Sequence, residues 1–144
     1  MQLSIKIIFV VALFFVACKK ENNLPSQQVN DLATNINDTI GIGQFTGYDH
    51  GLKGSAILYK DSSGKSIIRL ENYTMTSGPD VFLYLSTGST YSPSKVISVA
   101  KLTAGYIGSD INFPVDDSNY TKDHKYVLVY CKQFSSLFGN ALLQ

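Results

Sequence analysis

The chain has 144 residues and nearly balanced charge, with 12 Lys and Arg against 11 Asp and Glu. Such a balance favours neither a nucleic-acid partner nor a basic membrane-binding face. The length suits one domain with its own core better than two domains. Nine Tyr, eight Phe and 11 Gly, with no Trp, are typical of a β-rich domain with many turns.

The first 17 residues have the pattern of an export signal that ends at a cysteine. After Lys6, an apolar run of about ten residues follows, half of the ~20 that a membrane-spanning helix needs. The run ends in Phe-Val-Ala-Cys at 15–18, which resembles the lipobox of bacterial lipoproteins, with Phe15 where Leu is more usual. A polar stretch follows at once, which argues against a buried N-terminal helix. We expect a signal peptide over 1–17 and a lipid on Cys18.

A lipid on Cys18 implies a cell-envelope protein whose partner is the membrane. Residues 18–39 then form the lipidated N-terminus and a polar tether, in which a short helix from Val29 to Ile36 would be marginal alone. A flexible chain of this length spans about 25 Å. Residues 19–21, Lys-Lys-Glu, lack the Asp at the second position that retains lipoproteins in inner membranes, so the outer membrane is the expected location.

Beyond Thr39, short apolar runs alternate with turn sequences rich in Gly, Asp, Ser and Pro. Many short strands at this spacing predict an all-β domain over 40–144, an antiparallel β-sandwich or flattened barrel of about eight strands. The predicted strands lie near Ile42–Thr46, Ser55–Tyr59, Ser66–Leu70, Val81–Ser86, Lys95–Val99, Ile111–Val115, Tyr126–Cys131 and Leu137–Leu142.

Two of these runs, 81–86 and 126–131, are apolar on both faces. Strands of this kind are usually central and covered by another layer or by loops. In the run from Ser66, by contrast, Ile68 and Leu70 point inward and Arg69 points outward.

Motifs of common enzymes are missing. The sequence Gly64-Lys65-Ser66 is not a phosphate-binding loop, because Tyr59 stands where the motif needs a glycine, and a hairpin turn at 61–64 explains it better. Neither GxSxG nor HExxH occurs. Residues 116–119, Asp-Asp-Ser-Asn, are better explained as a solvated turn than as a calcium loop. The motifs thus predict no metal site.

Cys131 is the one free thiol of the mature chain once Cys18 carries lipid. A cysteine at the end of an apolar strand can be a small buried hydrophobe. An unpaired cysteine in an exported protein can also be a reactive thiol. Two histidines, His50 in a glycine-flanked loop and His124 in a charged stretch, have no motif around them that assigns a role.

Three segments, in order, resemble the DM-thirteen domain. Gly43-Gln44-Phe45 with His50 and Gly54 resembles its opening G-x-F…H-x-x-x-G. Residues 70–73 and 77–85, LENY and SGPDVFLYL, are similar to L-x-N-F…G-P-D-L-x-V-x-L. Residues 126–142 resemble the closing V-x-I-W-C-x-x-F-x-x-x-F-G-x-A-x-L, and 108–114 match G-x-Q-x-Y-x-I-P loosely. The chain departs from the family pattern at Tyr73 for Phe, Asp110 for Gln and Tyr130 for Trp.

The resemblance implies a β-sandwich-like electron-transfer domain in which Cys131 takes part in redox chemistry. A single thiol needs a partner thiol or a cofactor to cycle. The resemblance leaves the cofactor unknown: His50 with Cys131 would ligate haem or a metal only if the fold brings them together, and Asp80 is a further candidate for cofactor binding. It also implies a redox partner protein. The redox hypothesis predicts a partly accessible Cys131. The alternative is a non-catalytic binding or structural domain in which Cys131 is buried packing; a conventional enzyme is least favoured.

Overall fold

The computed structural model describes residues 38–144. The predicted signal peptide, Cys18 and residues 19–37 of the predicted tether lie outside this range. Within it, no helix has both the length and the apolar character needed to cross a bilayer.

Eight strands form one antiparallel sheet in the order β5-β4-β7-β8-β1-β2-β3-β6. They are β1 Thr39–Gly47, β2 Lys53–Lys60, β3 Ser66–Met75, β4 Val81–Ser86, β5 Val96–Leu102, β6 Tyr106–Pro114, β7 Tyr126–Cys131 and β8 Ser136–Leu142. Two short 3-10 helices, Pro93–Lys95 and Asp117–Asn119, lie in the connections.

The sheet curls into a half-barrel, which brings its two edge strands, β5 and β6, close to each other. One continuous apolar core fills the concave side. The predicted all-β antiparallel class and the eight strands are confirmed.

The two strands that are apolar on both faces, β4 and β7, are neighbours in the sheet. Their inward side chains are fully buried in the core: Val81, Leu83, Leu85, Val127, Val129 and Cys131. On the outer face Tyr84 and Leu128 are also buried. The connection 87–95 is closed by a hydrogen bond from Thr87 N to Lys95 O and accepts one at Ser89 O from the Asn140 amide of β8. This connection covers the outer face, as the two-sided pattern predicted.

Most strands are longer than predicted, and two of them, β3 and β6, extend furthest beyond the predicted ends. β3 continues to Met75, and β6 begins at Tyr106. The register between them shifts twice, on either side of Tyr73, and Asn72 has a φ of 48°. Such bulges break the alternation of inward and outward side chains, so the sequence pattern ends before the strand does.

Carboxylates hold the two polar turns in place. Asp61 accepts hydrogen bonds from the backbone N–H of Ser63 and Lys65, at 2.8 and 2.9 Å, which confirms the predicted hairpin. Asp117 accepts from Ser66 N at 3.0 Å and from Lys60 Nζ at 3.1 Å. These hydrogen bonds tie the turns to β2 and β3.

Candidate functional site

Cys131 is the last residue of β7, and its side chain is 0% exposed. Its neighbours across the sheet are Val81 of β4 and Ser136 of β8. It belongs to the same buried cluster as Val81 and Phe138. The redox hypothesis predicted a partly accessible thiol, and the structure instead encloses Cys131 in apolar side chains.

His50 lies in the connection between β1 and β2, in a left-handed conformation with a φ of 57°. Its ring stacks on the buried ring of Phe138, with centroids 3.6 Å apart and planes 7° apart. The Nδ1 atom is 3.2 Å from the carboxylate of Asp49. The His50 carbonyl accepts hydrogen bonds from the N–H and hydroxyl of Thr76. This loop is therefore fixed to the segment that leads into β4.

Gly78 makes the closest packing in that segment. A Cβ placed there would lie 2.6 Å from Val81 Cγ2 and 3.2 Å from Phe138 Cζ, so only glycine fits without displacement. Phe138 thus contacts both the His50 ring and Gly78, and Val81 lies opposite Cys131 in the sheet. The fold gathers His50 and Cys131 at one end of the half-barrel, connected through Phe138 and Val81.

Asp80 lies at the same end. Its carboxylate forms an ion pair with Lys101 Nζ at 2.7 Å, and its carbonyl accepts a hydrogen bond from Lys132 N, the residue after Cys131. All three residues singled out from the sequence therefore lie at one end of the half-barrel, although Asp80 pairs with a lysine and Cys131 is enclosed.

The described residues do not fit a metal centre. No group of three or more His, Cys, Asp or Glu side chains within 38–144 could hold an ion. Nor do they fit shared axial ligation of a haem, because Cys131 is packed among apolar side chains and Phe138 covers one face of the His50 ring.

The outer face of β4 and β7 carries a second cluster, made of aromatic rings. Tyr91, from the connection 87–95, stacks on Tyr130 with centroids 4.1 Å apart and planes 8° apart. Tyr84 lies 5.2 Å from Tyr91, and Phe82 lies 5.8 Å from Tyr84. We call Phe82, Tyr84, Tyr91 and Tyr130 the outer aromatic cluster.

Within this cluster Tyr84 is 2% exposed, and its hydroxyl is buried. Burial, followed by the neighbouring Tyr91, raises the pKa of Tyr84 well above its ordinary value. Two cations lie over the Phe82 ring, Lys132 Nζ at 4.2 Å and Lys101 Nζ at 5.5 Å from its centroid. The cluster therefore combines one buried phenol, two part-exposed phenols and a cationic end.

A comparison with known protein families shows to which family the chain belongs. Residues 44–143 match the family model described as electron transfer DM13. The chain belongs to this family. No curated protein and no solved structure gives a significant match. The match spans nearly all of the half-barrel and includes His50, Asp80 and Cys131, which confirms the resemblance inferred from the sequence.

Sequence reasoning missed the outer aromatic cluster of the DM13 domain. The two-sided apolar pattern of β4 and β7 indicated that something covers Tyr84 and Tyr130. It did not identify Tyr91, because that residue lies in a turn-rich segment whose path over the sheet depends on tertiary contacts such as Asn140 to Ser89.

Proposed function

We propose that this chain is a membrane-anchored electron-transfer domain whose redox region is the end of the half-barrel around His50, Asp80 and Cys131. The observation that carries the proposal is the convergence of these three residues within a domain of the electron-transfer DM13 family. A lipid on Cys18 would hold the domain at the envelope membrane, with a redox protein as its partner.

The burial of Cys131 limits how it can react. An attacking thiolate must reach the sulfur of its target, and Cys131 has no exposed surface. Residues 38–144 contain no other cysteine with which it could form a disulfide. Exchange at Cys131 therefore requires local opening of the strand end, in which the buried cluster that it shares with Val81 and Phe138 would have to loosen.

Thiol titration under native conditions tests this proposal. In the mature chain carrying Cys18→Ser, Cys131 is the single thiol. We expect slow but complete modification, faster in a Phe138→Leu variant because its smaller side chain loosens the stack on His50. Cys131→Ala, which has no thiol at this position, is the negative control. A thiol that stays unmodified until the protein is denatured would refute a redox role for Cys131.

A second function, a binding or structural domain in which Cys131 is packing, is favoured by the same 0% exposure. It predicts that Cys131→Ser lowers stability yet leaves the binding of any ligand unchanged. The absorption spectrum of the domain as purified separates the two further, because a coloured redox group would show directly. Binding of such a group that persists in Cys131→Ser would show that Cys131 does not hold it.

The anchor is tested separately. Labelling cells with a fatty-acid analogue should mark the protein and place it in the membrane fraction. Cys18→Ala should abolish both, whereas Cys131→Ala should affect neither. Separation of inner and outer membranes then tests the expected outer-membrane location.

A further inference from the structure

The Tyr91–Tyr130 pair has a geometry suited to joining two phenols. The two rings are almost parallel, 8° apart in plane and 4.1 Å apart between centroids. Both side chains are part-exposed, whereas Tyr84 beside them is buried. A parallel stack at this spacing puts the two phenol rings in van der Waals contact.

The pair is held in place by the fold. Tyr130 lies in β7, between Phe82 of β4 and Leu137 of β8. Tyr91 lies in the connection 87–95, which is closed by the Thr87–Lys95 hydrogen bond and tied to β8 through Ser89 and Asn140, each at 3.0 Å. The two rings therefore meet without any rearrangement of the backbone.

We propose that Tyr91 and Tyr130 form a one-electron oxidation site, separate from Cys131, that converts to a dityrosine cross-link. Each phenol gives one electron to a one-electron oxidant and its hydroxyl proton to water, leaving a phenoxyl radical. The two radicals join by a carbon–carbon bond between their ortho positions, and the ring hydrogens at those positions return to the oxygens. The net loss is two electrons and two protons, taken up by two equivalents of oxidant and by water.

The surroundings direct oxidation to this pair. The hydroxyl of Tyr84 is buried, so it cannot pass its proton directly to water when an electron leaves. Tyr91 and Tyr130 reach solvent and can lose theirs. The cross-link would fasten the connection 87–95 to β7 covalently. The inference deepens the proposed electron-transfer function by naming a second place where the domain gives up electrons, and its chemistry does not depend on Cys131.

The test is photo-oxidation of the mature Cys18→Ser chain with a ruthenium tris-bipyridyl complex and persulfate, at low protein concentration. We expect dityrosine fluorescence, a monomer lighter by two hydrogen atoms, and a cross-linked peptide pair that contains residues 91 and 130. Tyr91→Phe and Tyr130→Phe keep the ring stack and should each lose the cross-link. Tyr126→Phe removes a part-exposed phenol of the same strand as Tyr130 and should retain the cross-link.

A cross-link that persists in Tyr91→Phe, or that joins Tyr126 or separate molecules in place of this pair, would overturn the proposal. Circular dichroism of each variant confirms that the fold is intact. Adding Cys131→Ala distinguishes the two redox sites: the cross-link should form unchanged, and its loss in that variant would refute the independence of the pair. A failure of the thiol titration would leave the tyrosine result standing.

Discussion

Cys131 and Tyr130 are neighbours in the chain and stand on opposite faces of β7. Cys131 points into the core and is fully buried, while Tyr130 points outward and stacks on Tyr91. Alternation along a strand places the two side chains in different surroundings within one residue. The proposed chemistry at Cys131 would be limited by opening of the fold, whereas the proposed oxidation at Tyr130 would be limited by contact with an oxidant. The comparison shows that burial, and not position in the chain, separates the two redox candidates.

The largest loss of stability should come from a substitution in the core, on the inner side of the sheet. Phe138→Ala removes a ring that is 1% exposed and that supports His50 and Gly78. We expect the free energy of unfolding to fall by about 3–5 kcal/mol, measured by urea denaturation. Phe134→Ala, at a ring that is 67% exposed, should change it by less than about 0.5 kcal/mol. Equal losses in the two variants would contradict the inner packing described here.

An added methyl group should also disturb the packing at the same end of the half-barrel. Gly78→Ala places a Cβ 2.6 Å from Val81 Cγ2, and we expect a loss of about 1–3 kcal/mol together with faster modification of Cys131. Gly88→Ala is the matched control, because a Cβ there meets nothing within 4 Å. Unfolding curves and thiol titration of the two variants measure both effects. If Gly78→Ala left the modification rate unchanged, opening near Val81 would not control access to the thiol.

Cys131→Ser tests the inner residue itself. A hydroxyl in this apolar site has no partner to replace water, so we expect a loss of about 1–3 kcal/mol. Cys131→Ala leaves a small cavity but no unpaired polar group. Urea denaturation of both variants shows whether the unpaired hydroxyl or the cavity lowers the stability more. A serine variant as stable as the wild type would mean that water reaches this position.

On the outer face, Tyr91→Ala removes one ring of the stack. We expect a smaller loss, about 0.5–1.5 kcal/mol, because the side chain is only part-buried. Hydrogen exchange should rise at the amide of Thr87, whose bond closes the connection. The thiol of Cys131 should keep its wild-type reactivity. A faster thiol reaction would show that the two faces of β7 are coupled.

The smallest expected effect is on the stability of the domain at low pH. The Ser66 hydroxyl and backbone N–H, with Lys60, lower the pKa of Asp117 below its ordinary value. The stabilisation that the ionised Asp117 contributes is therefore complete at neutral pH. It is lost as the pH falls below about 4 toward the lowered pKa of Asp117. Asp117→Asn should cost about 1 kcal/mol or less at pH 7, since the group is part-exposed, and should flatten the acid limb of the stability curve. Asp123→Asn is the exposed control; the same flattening there would contradict the assignment.

The fold was largely predictable because its strands are short, and most are bounded by turn residues. The β3 and β6 ends were not, since bulges near Tyr73 break the alternation on which strand prediction depends. At the candidate site, the ordered motifs identified His50, Asp80 and Cys131. Whether Cys131 was accessible could not be predicted, because the sequence pattern around a cysteine at a strand end is the same whether that end is covered or exposed. Phe138, a ring of the same buried cluster, lies in the same motif, but its packing could be inferred only once β8 is placed beside β7.

The position of β1 has a mechanical consequence. The strand that follows the predicted tether is not at the edge of the sheet; it lies between β8 and β2 and pairs with both. A pull applied at Thr39 along the strand would load these ladders in shear, so that many hydrogen bonds share the force and must break together. An edge strand pulled sideways would instead separate one bond at a time. The half-barrel is thus built to stay folded under tension at the end where an anchor would hold it.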